Sequence, residues 1–218
     1  MEQARMKLFG YWRSSATYRV RIALALKGLS FDYAPVNLLK GEQKTESYLS
    51  KNPLGLVPTL ETDDGALLGQ SLAILEYLEE AHPEPTLLPD GRIARAHARA
   101  IAATIACEAQ PLMNLRIQQY LKNEGGFDDA AMKAWLARWP GSAMASVEER
   151  LARTAGDYSV GDIPTLADCC LVPQMFAATR FGVDTSALKR MTAIYERCLK
   201  HPAFERAHPD NQPDAPKD

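Results

Sequence analysis

Lys7-Leu8-Phe9-Gly10-Tyr11 reads as an apolar strand, and the pattern then switches to helical spacing from Tyr18 to Lys27, through Arg19-Val20-Arg21-Ile22-Ala23-Leu24-Ala25-Leu26. Gly28 closes that helix, because glycine suits the left-handed position beyond a helix end, and Lys27 is expected to complement the helix's negative pole. A second strand over Phe31 to Val36 completes a βαβ unit. A short helix is expected between Gln43 and Ser50, after which Asn52-Pro53 and Val57-Pro58 break the pattern. Thr59-Leu60-Glu61 and Ala66-Leu67-Leu68 then read as strands joined by an Asp63-Asp64-Gly65 turn, with Ser71 as the N-cap of a helix over Leu72 to Glu79.

The breaker-rich stretch from His82 to Gly91 cannot continue that helix, so a linker over 86–91 is expected to separate an α/β domain at 1–85 from a second domain at 92–218. Beyond Arg92 the strand signals disappear. Alanine-rich helical segments run to about His201, with interruptions expected near Pro111, at Glu124-Gly125-Gly126-Phe127 and at Trp139-Pro140-Gly141. Thr165-Leu166-Ala167-Asp168 has the form of a capping box and is assigned to folding. Trp135 and Trp139, one turn apart, read as one packed helical face, and the polar, proline-rich end from Pro209 to Asp218 predicts an extended or disordered tail.

With 218 residues the chain can bury two proper cores, and 46% hydrophobic against 24% charged residues is ordinary globular composition. A net charge of -2 gives no basic footprint for nucleic acid. Met1-Glu2-Gln3-Ala4-Arg5 lacks the apolar core of a signal peptide and no apolar run suits a membrane span, so a cytosolic protein without membrane contact is expected. Cys107, Cys169, Cys170 and Cys198 show no metal or redox spacing and read as buried reduced thiols.

Chemistry concentrates where the first strand meets the first helix. Arg13, Ser14 and Ser15 bring hydroxyls, not a thiol, to a helix N-terminus, whose unpaired N–H groups and partial positive charge stabilise an anion. Any nucleophilic anion activated there must come from a ligand. Val57-Pro58 ahead of a strand, in a βαβ then ββα order, is expected to be cis and to leave a backbone N–H and C=O free for a peptide-like ligand, as in a thioredoxin-like domain; the alternative is an ordinary turn proline. Gln70-Ser71 offers an amide, a hydroxyl and helix-start N–H groups to a carboxylate, the alternative being a plain capped helix. Two such helix starts suit a ligand with a nucleophile at one end and a carboxylate at the other.

The run Tyr11-Trp12-Arg13-Ser14-Ser15-Ala16-Thr17-Tyr18-Arg19-Val20-Arg21-Ile22-Ala23-Leu24, with Asn52-Pro53, Val57-Pro58-Thr59-Leu60 and Gln70-Ser71-Leu72-Ala73-Ile74, resembles the zeta-class glutathione transferases. Gln110-Pro111-Leu112, Asn114-Leu115, Gly161-Asp162, Thr165-Leu166-Ala167-Asp168 and Leu171-Val172-Pro173-Gln174 extend the likeness over nearly the whole chain. The resemblance implies an N-terminal thioredoxin-like domain, an all-helical C-terminal domain, glutathione as cofactor and a homodimer. It implies that Ser14 and Ser15 hold and activate the thiolate, Gln43 contacts the glycyl end, Val57 before Pro58 pairs with the cysteinyl unit, and Gln70 with Ser71 holds the γ-glutamyl carboxylate. Gln110 and Asn114 match positions lining the same site, and Arg13, Arg116 and Arg180 match dicarboxylate-binding arginines. Ala16 departs from the Ser-Ser-Cys of eukaryotic members, which leaves glutathione itself as the nucleophile.

The family further implies cis–trans isomerisation of a small maleyl keto acid, most simply maleylacetoacetate to fumarylacetoacetate, by thiolate addition, rotation and elimination, with the arginines stabilising the charge. Maleylpyruvate isomerisation and conjugation of electrophiles such as α-halo acids would use the same site, and a non-catalytic glutathione-binding scaffold is the alternative of a different class. Arg19, Arg21, Arg92, Arg95 and Arg99 carry no such argument and read as structural or surface residues.

Overall fold

The computed structural model describes residues 5–217; Met1 to Ala4, part of the segment read for a signal peptide, and Asp218, the last residue of the expected tail, lie outside them. Two compact units are present, one formed by the chain up to Leu87 together with residues from Lys200 onward, the other by Leu88–Leu199.

In the first unit β1 (Lys7–Gly10) leads into α1 (Ser15–Leu26) and β2 (Asp32–Pro35), and β3 (Thr59–Glu61) and β4 (Leu67–Gly69) precede α3 (Ser71–Ala81), with the one-turn α2 (Glu46–Leu49) between β2 and β3. The sheet order is β2-β1-β3-β4. β1 pairs parallel with β2, the consequence of the helical crossover, and antiparallel with β3, which pairs antiparallel with β4. This is the expected thioredoxin-like order. α1 is sheltered almost all round: Val20, Ile22 and Leu24 are fully buried with Leu8, Leu60, Ile74 and Leu78, each such side chain contributing about 1.5–3 kcal/mol.

Lys27 caps α1 and Gly28, at φ 66°, turns the chain out of it as expected. The lysine's charge is used differently from expectation. Its buried Nζ donates to Glu79 Oε2 at 2.8 Å and to the carbonyls of His82 at 2.6 Å and Pro85 at 2.9 Å, tying α1 to α3 and the segment beyond it.

The helical unit contains α4 (Arg92–Ala103), α5 (Leu115–Asn123), α6 (Asp129–Thr154), α7 (Leu166–Arg180) and α8 (Lys189–Leu199). A π-helical turn over Thr104–Ala109 follows α4, and a short 3-10 turn begins at Pro111. The expected break at Pro140 does not occur: α6 runs through it, because Leu136, Pro140, Met144, Val147 and Leu151 form a buried stripe whose packing outweighs the lost backbone hydrogen bond. Thr165 and Asp168 form the expected capping box at α7, and the buried Asp168 also accepts from Ser159 N–H at 2.9 Å.

Other expectations need correction. Cys169, Cys170 and Cys198 are buried, but Cys107 is exposed. Trp135 is half-buried with its indole N–H donating to Leu112 O at 2.7 Å, whereas Trp139, ring against ring with it at 5.8 Å, is 43% exposed. The chain beyond Lys200 does not join the helical unit: α9 (Pro202–Ala207) packs on α1. The tail after it is docked, because Gln212 donates to the carbonyls of Arg206 and His208, and Asp214 accepts from Trp12 N–H at 2.9 Å and Tyr33 OH at 3.3 Å.

Candidate active site

The sheet register gathers the N-terminal candidates at one edge. β1 ends there and passes through Tyr11 and Trp12 to Ser14; Phe9 pairs with Thr59, so Val57 and Pro58 lie beside that exit; Thr59 pairs with Gly69, which delivers Gln70 and Ser71 to the same edge. Phe9, Tyr11, Val36, Tyr48 and Val57 form the apolar floor beneath it.

Ser14 is the N-cap of α1. Its extended backbone lets Oγ accept from Thr17 N–H at 3.3 Å, while its own N–H donates to Tyr11 O at 3.0 Å. Ser15 is the first helical residue, and its half-buried hydroxyl has no hydrogen-bond partner among the described residues. Arg13 is half-buried with its guanidinium 5.1 Å from the Trp12 ring centroid. Thus the cap function falls on one serine and leaves the other hydroxyl unspent.

The Val57-Pro58 bond is cis. Val57 lies before the β3 ladder, and neither its N–H nor its C=O is bonded within the described residues. A buried peptide group without a partner costs about 1–3 kcal/mol, so this edge is suited to a ligand's amide. The bend is held by Asn52, quoted in the sequence motif without a role, and by Tyr48, which sequence reasoning passed over: Asn52 Nδ2 and Tyr48 OH both donate to Leu56 O, at 2.9 and 2.7 Å, and both reach Thr59 Oγ1. Burial pushes the Tyr48 phenol upward despite those bonds, so it stays a neutral donor.

Ser71 is not the N-cap expected of it. β4 ends one residue later than the pattern indicates, at Gly69, so Gln70 alone makes the turn, at φ 66°, and Ser71 opens α3. Gln70 is the one non-glycine with positive φ among the described residues, a conformation costing of order 1–3 kcal/mol. Ser71 Oγ accepts from Arg19 Nη1 at 3.2 Å. That buried guanidinium, read as merely structural, adds positive charge behind the α3 N-terminus, where a carboxylate is favoured. The Gln43 side chain has its Oε1 buried without a hydrogen-bond partner. The Gln43 backbone carbonyl passes close to Gly55, at φ 61°, where a Cβ would come 3.0 Å from it.

These features fit glutathione: an unspent hydroxyl at a helix start for the sulfur, an open peptide edge for the cysteinyl amides, a reinforced helix start for the γ-glutamyl carboxylate, and an orphaned amide oxygen at Gln43 able to accept from a peptide N–H such as the glycyl one.

In the helical unit Gln110 follows the π-turn, and Asn114 is the N-cap of α5, its Oδ1 accepting from Arg116 N–H at 3.2 Å. Capping thus takes up the Asn114 oxygen and leaves its amide donors. Arg116 is exposed, and Arg180 ends α7 exposed, its guanidinium 4.2 Å from the Phe181 ring centroid.

Residues 13–81 match the family model described as the glutathione S-transferase N-terminal domain. The maleylacetoacetate isomerase of Pseudomonas aeruginosa is 46% identical over 97% of this chain and 99% of its own. A holo structure of a maleyl pyruvate isomerase, described as a bacterial zeta-class glutathione transferase, superposes with a TM-score of 0.92 at 43% identity, over 96% of this chain and all of the other. A maleylacetoacetate isomerase from Methylobacterium extorquens, with malonate and glutathione bound, gives 0.91 at 39% identity over 97% of this chain and all of its own. On this likeness over nearly its full length, the chain belongs to the zeta-class glutathione transferase family.

Proposed function

We propose that the protein is a glutathione-dependent isomerase converting maleylacetoacetate to fumarylacetoacetate. The observation that carries this is the single sheet edge bearing the Ser15 hydroxyl, the unbonded Val57 peptide and the Arg19-backed Ser71. Family membership and a relative holding glutathione with a dicarboxylate support it. Bound at that edge, glutathione would supply a thiolate nucleophile able to add reversibly to the maleyl double bond, so that it would act as a cofactor and not be consumed.

The chain's own groups hold and orient. Ser15 O–H, with Ser14 and the positive end of α1, donates to the sulfur and favours its ionised form. Val57 N–H and C=O fix the cysteinyl unit ahead of Pro58, Ser71 O–H and the N–H groups of the Gln70 turn take the γ-glutamyl carboxylate, and Gln43 takes the glycyl end. Gln110 and the free amide of Asn114 contribute further polar contacts. Arg13, Arg116 and Arg180 bind carboxylates of the keto acid and stabilise the charge that develops next to its carbonyl.

The chain, 24.1 kDa by sequence, is expected as a homodimer, giving about twice that mass by light scattering, and as a cytosolic enzyme; family membership supports both. Among the described residues no helix is long and apolar enough to cross a membrane.

Incubation with glutathione and maleylacetoacetate tests the reaction: trans product should accumulate without thiol loss. Conversion of maleylpyruvate in preference, a reading favoured by the 43%-identical maleyl pyruvate isomerase structure, would replace the substrate. Stoichiometric thiol loss would make the protein a conjugating transferase, and glutathione binding with no turnover would make it a scaffold.

A further inference from the structure

Trp12 immediately precedes the Arg13-Ser14-Ser15 turn, and its two peptide groups are gripped by side chains from outside that turn, one of them from the far end of the chain. Its N–H donates to Asp214 Oδ2 at 2.9 Å, 202 positions away, and its carbonyl accepts from Arg21 Nη2 at 2.8 Å. Both holders are themselves anchored. Tyr33 OH donates to the same carboxylate oxygen at 3.3 Å, and Arg21, 1% exposed, directs Nε to Ala207 O at 3.0 Å. The Trp12 ring lies against Tyr11 at 6.0 Å and beneath Arg13 at 5.1 Å, and Ser14 N–H returns to Tyr11 O, so the segment from Tyr11 to Ser14 has little freedom while these contacts persist. Asp214, Trp12 and Arg13 also line one cavity of about 290 Å³.

Nothing in the fold of α1 alone requires the tail to return here. The α1 cap is already made by Ser14, so a carboxylate placed on the preceding peptide acts on where the turn sits. Hydroxyl donors stabilise an anion only when held in place, and a displacement of about 1 Å can cost about 100-fold in rate. A carboxylate acceptor makes a stronger, shorter hydrogen bond than a neutral one.

We propose that Asp214, assisted by Arg21, is a positioning residue for the Ser14 and Ser15 hydroxyls, the docked tail acting as a strap across the turn that binds the glutathione thiolate. This rests on the role given to those serines under the proposed function.

Asp214→Ala and a chain ending at Pro213 remove the strap's acceptor, whereas Asp214→Asn keeps an oxygen that accepts from Trp12 N–H. For each, kcat and KM for maleylacetoacetate, the pKa of enzyme-bound glutathione from ultraviolet thiolate absorbance, and the melting temperature are measured. Loss of the acceptor should lower kcat about tenfold or more and raise the bound thiol's pKa, with Asp214→Asn within about threefold of wild type. Wild-type kcat and thiol pKa in both acceptor-less proteins, even with a lowered melting temperature, would overturn the strap, as would an Asn variant as impaired as the Ala variant. A wild-type protein that isomerises nothing would overturn the assigned reaction instead, and the thiol titration would still decide the strap.

Discussion

At the scale of residues, two adjacent serines divide the work at the start of α1. Ser14 Oγ is engaged as the cap on Thr17 N–H, and Ser15 Oγ is unbonded among the described residues. Ser14→Ala should therefore lose about 1 kcal/mol of stability in a denaturant titration. Ser15→Ala should leave the unfolding midpoint unchanged and raise the pKa of bound glutathione. The chemistry of this turn was legible in the chain because hydroxyls at a strand-to-helix junction can be placed from local pattern alone. Arg19, four residues further on, was not: its value lies in reaching Ser71 Oγ, a partner 52 positions away that no local pattern indicates. The same blindness applies to Asn52 and Tyr48, whose role depends on where the chain doubles back on Leu56.

At the scale of elements, the capping box of α7 was readable and the course of α6 was not. Thr165 and Asp168 sit at fixed spacing, so sequence suffices. Whether Pro140 ends a helix depends on how much buried surface its neighbours gain, a property of packing. Asp168 does more than its motif: its carboxylate also holds Ser159 N–H, at 2.9 Å, as well as Thr165 N–H at 2.7 Å. Asp168→Ala strands both buried donors and should cost about 2 kcal/mol or more, measured by chemical denaturation. Because the residue lies in the helical unit's core and far from the sheet edge in sequence, glutathione affinity of the folded fraction should stay the same.

At the scale of the whole molecule, acid stability should carry the mark of the Lys27–Glu79 pair. Burial raises the Glu79 carboxyl, but hydrogen bonds from Lys27, Thr86 and Leu87 outweigh this and hold it below its ordinary 4.5. A carboxyl with a lowered folded pKa contributes stability that is complete above its unfolded value and is lost as pH falls through the folded one. Melting temperatures recorded downward from about pH 6 should therefore fall below about pH 4.5 in the wild type. Part of that fall should be missing in Glu79→Gln. Lys27→Met, which removes the carboxylate's cationic partner and leaves it only the neutral donors of Thr86 and Leu87, should cost about 3–5 kcal/mol at neutral pH. Two units were foreseeable from the breakers between His82 and Gly91. That the first unit reclaims the chain from Lys200 onward was not, since α9 and the tail present an unremarkable polar sequence until their partners on α1 and at Trp12 are known.

That return of the chain bears on how the protein is made. Arg21 is buried against Ala207 O, and α1 is covered by α9, segments synthesised only after the entire Leu88–Leu199 unit. On the ribosome, the βαβ unit emerges first, and one flank of its central helix stays uncovered until α9 has been made. The domain that begins first is completed last.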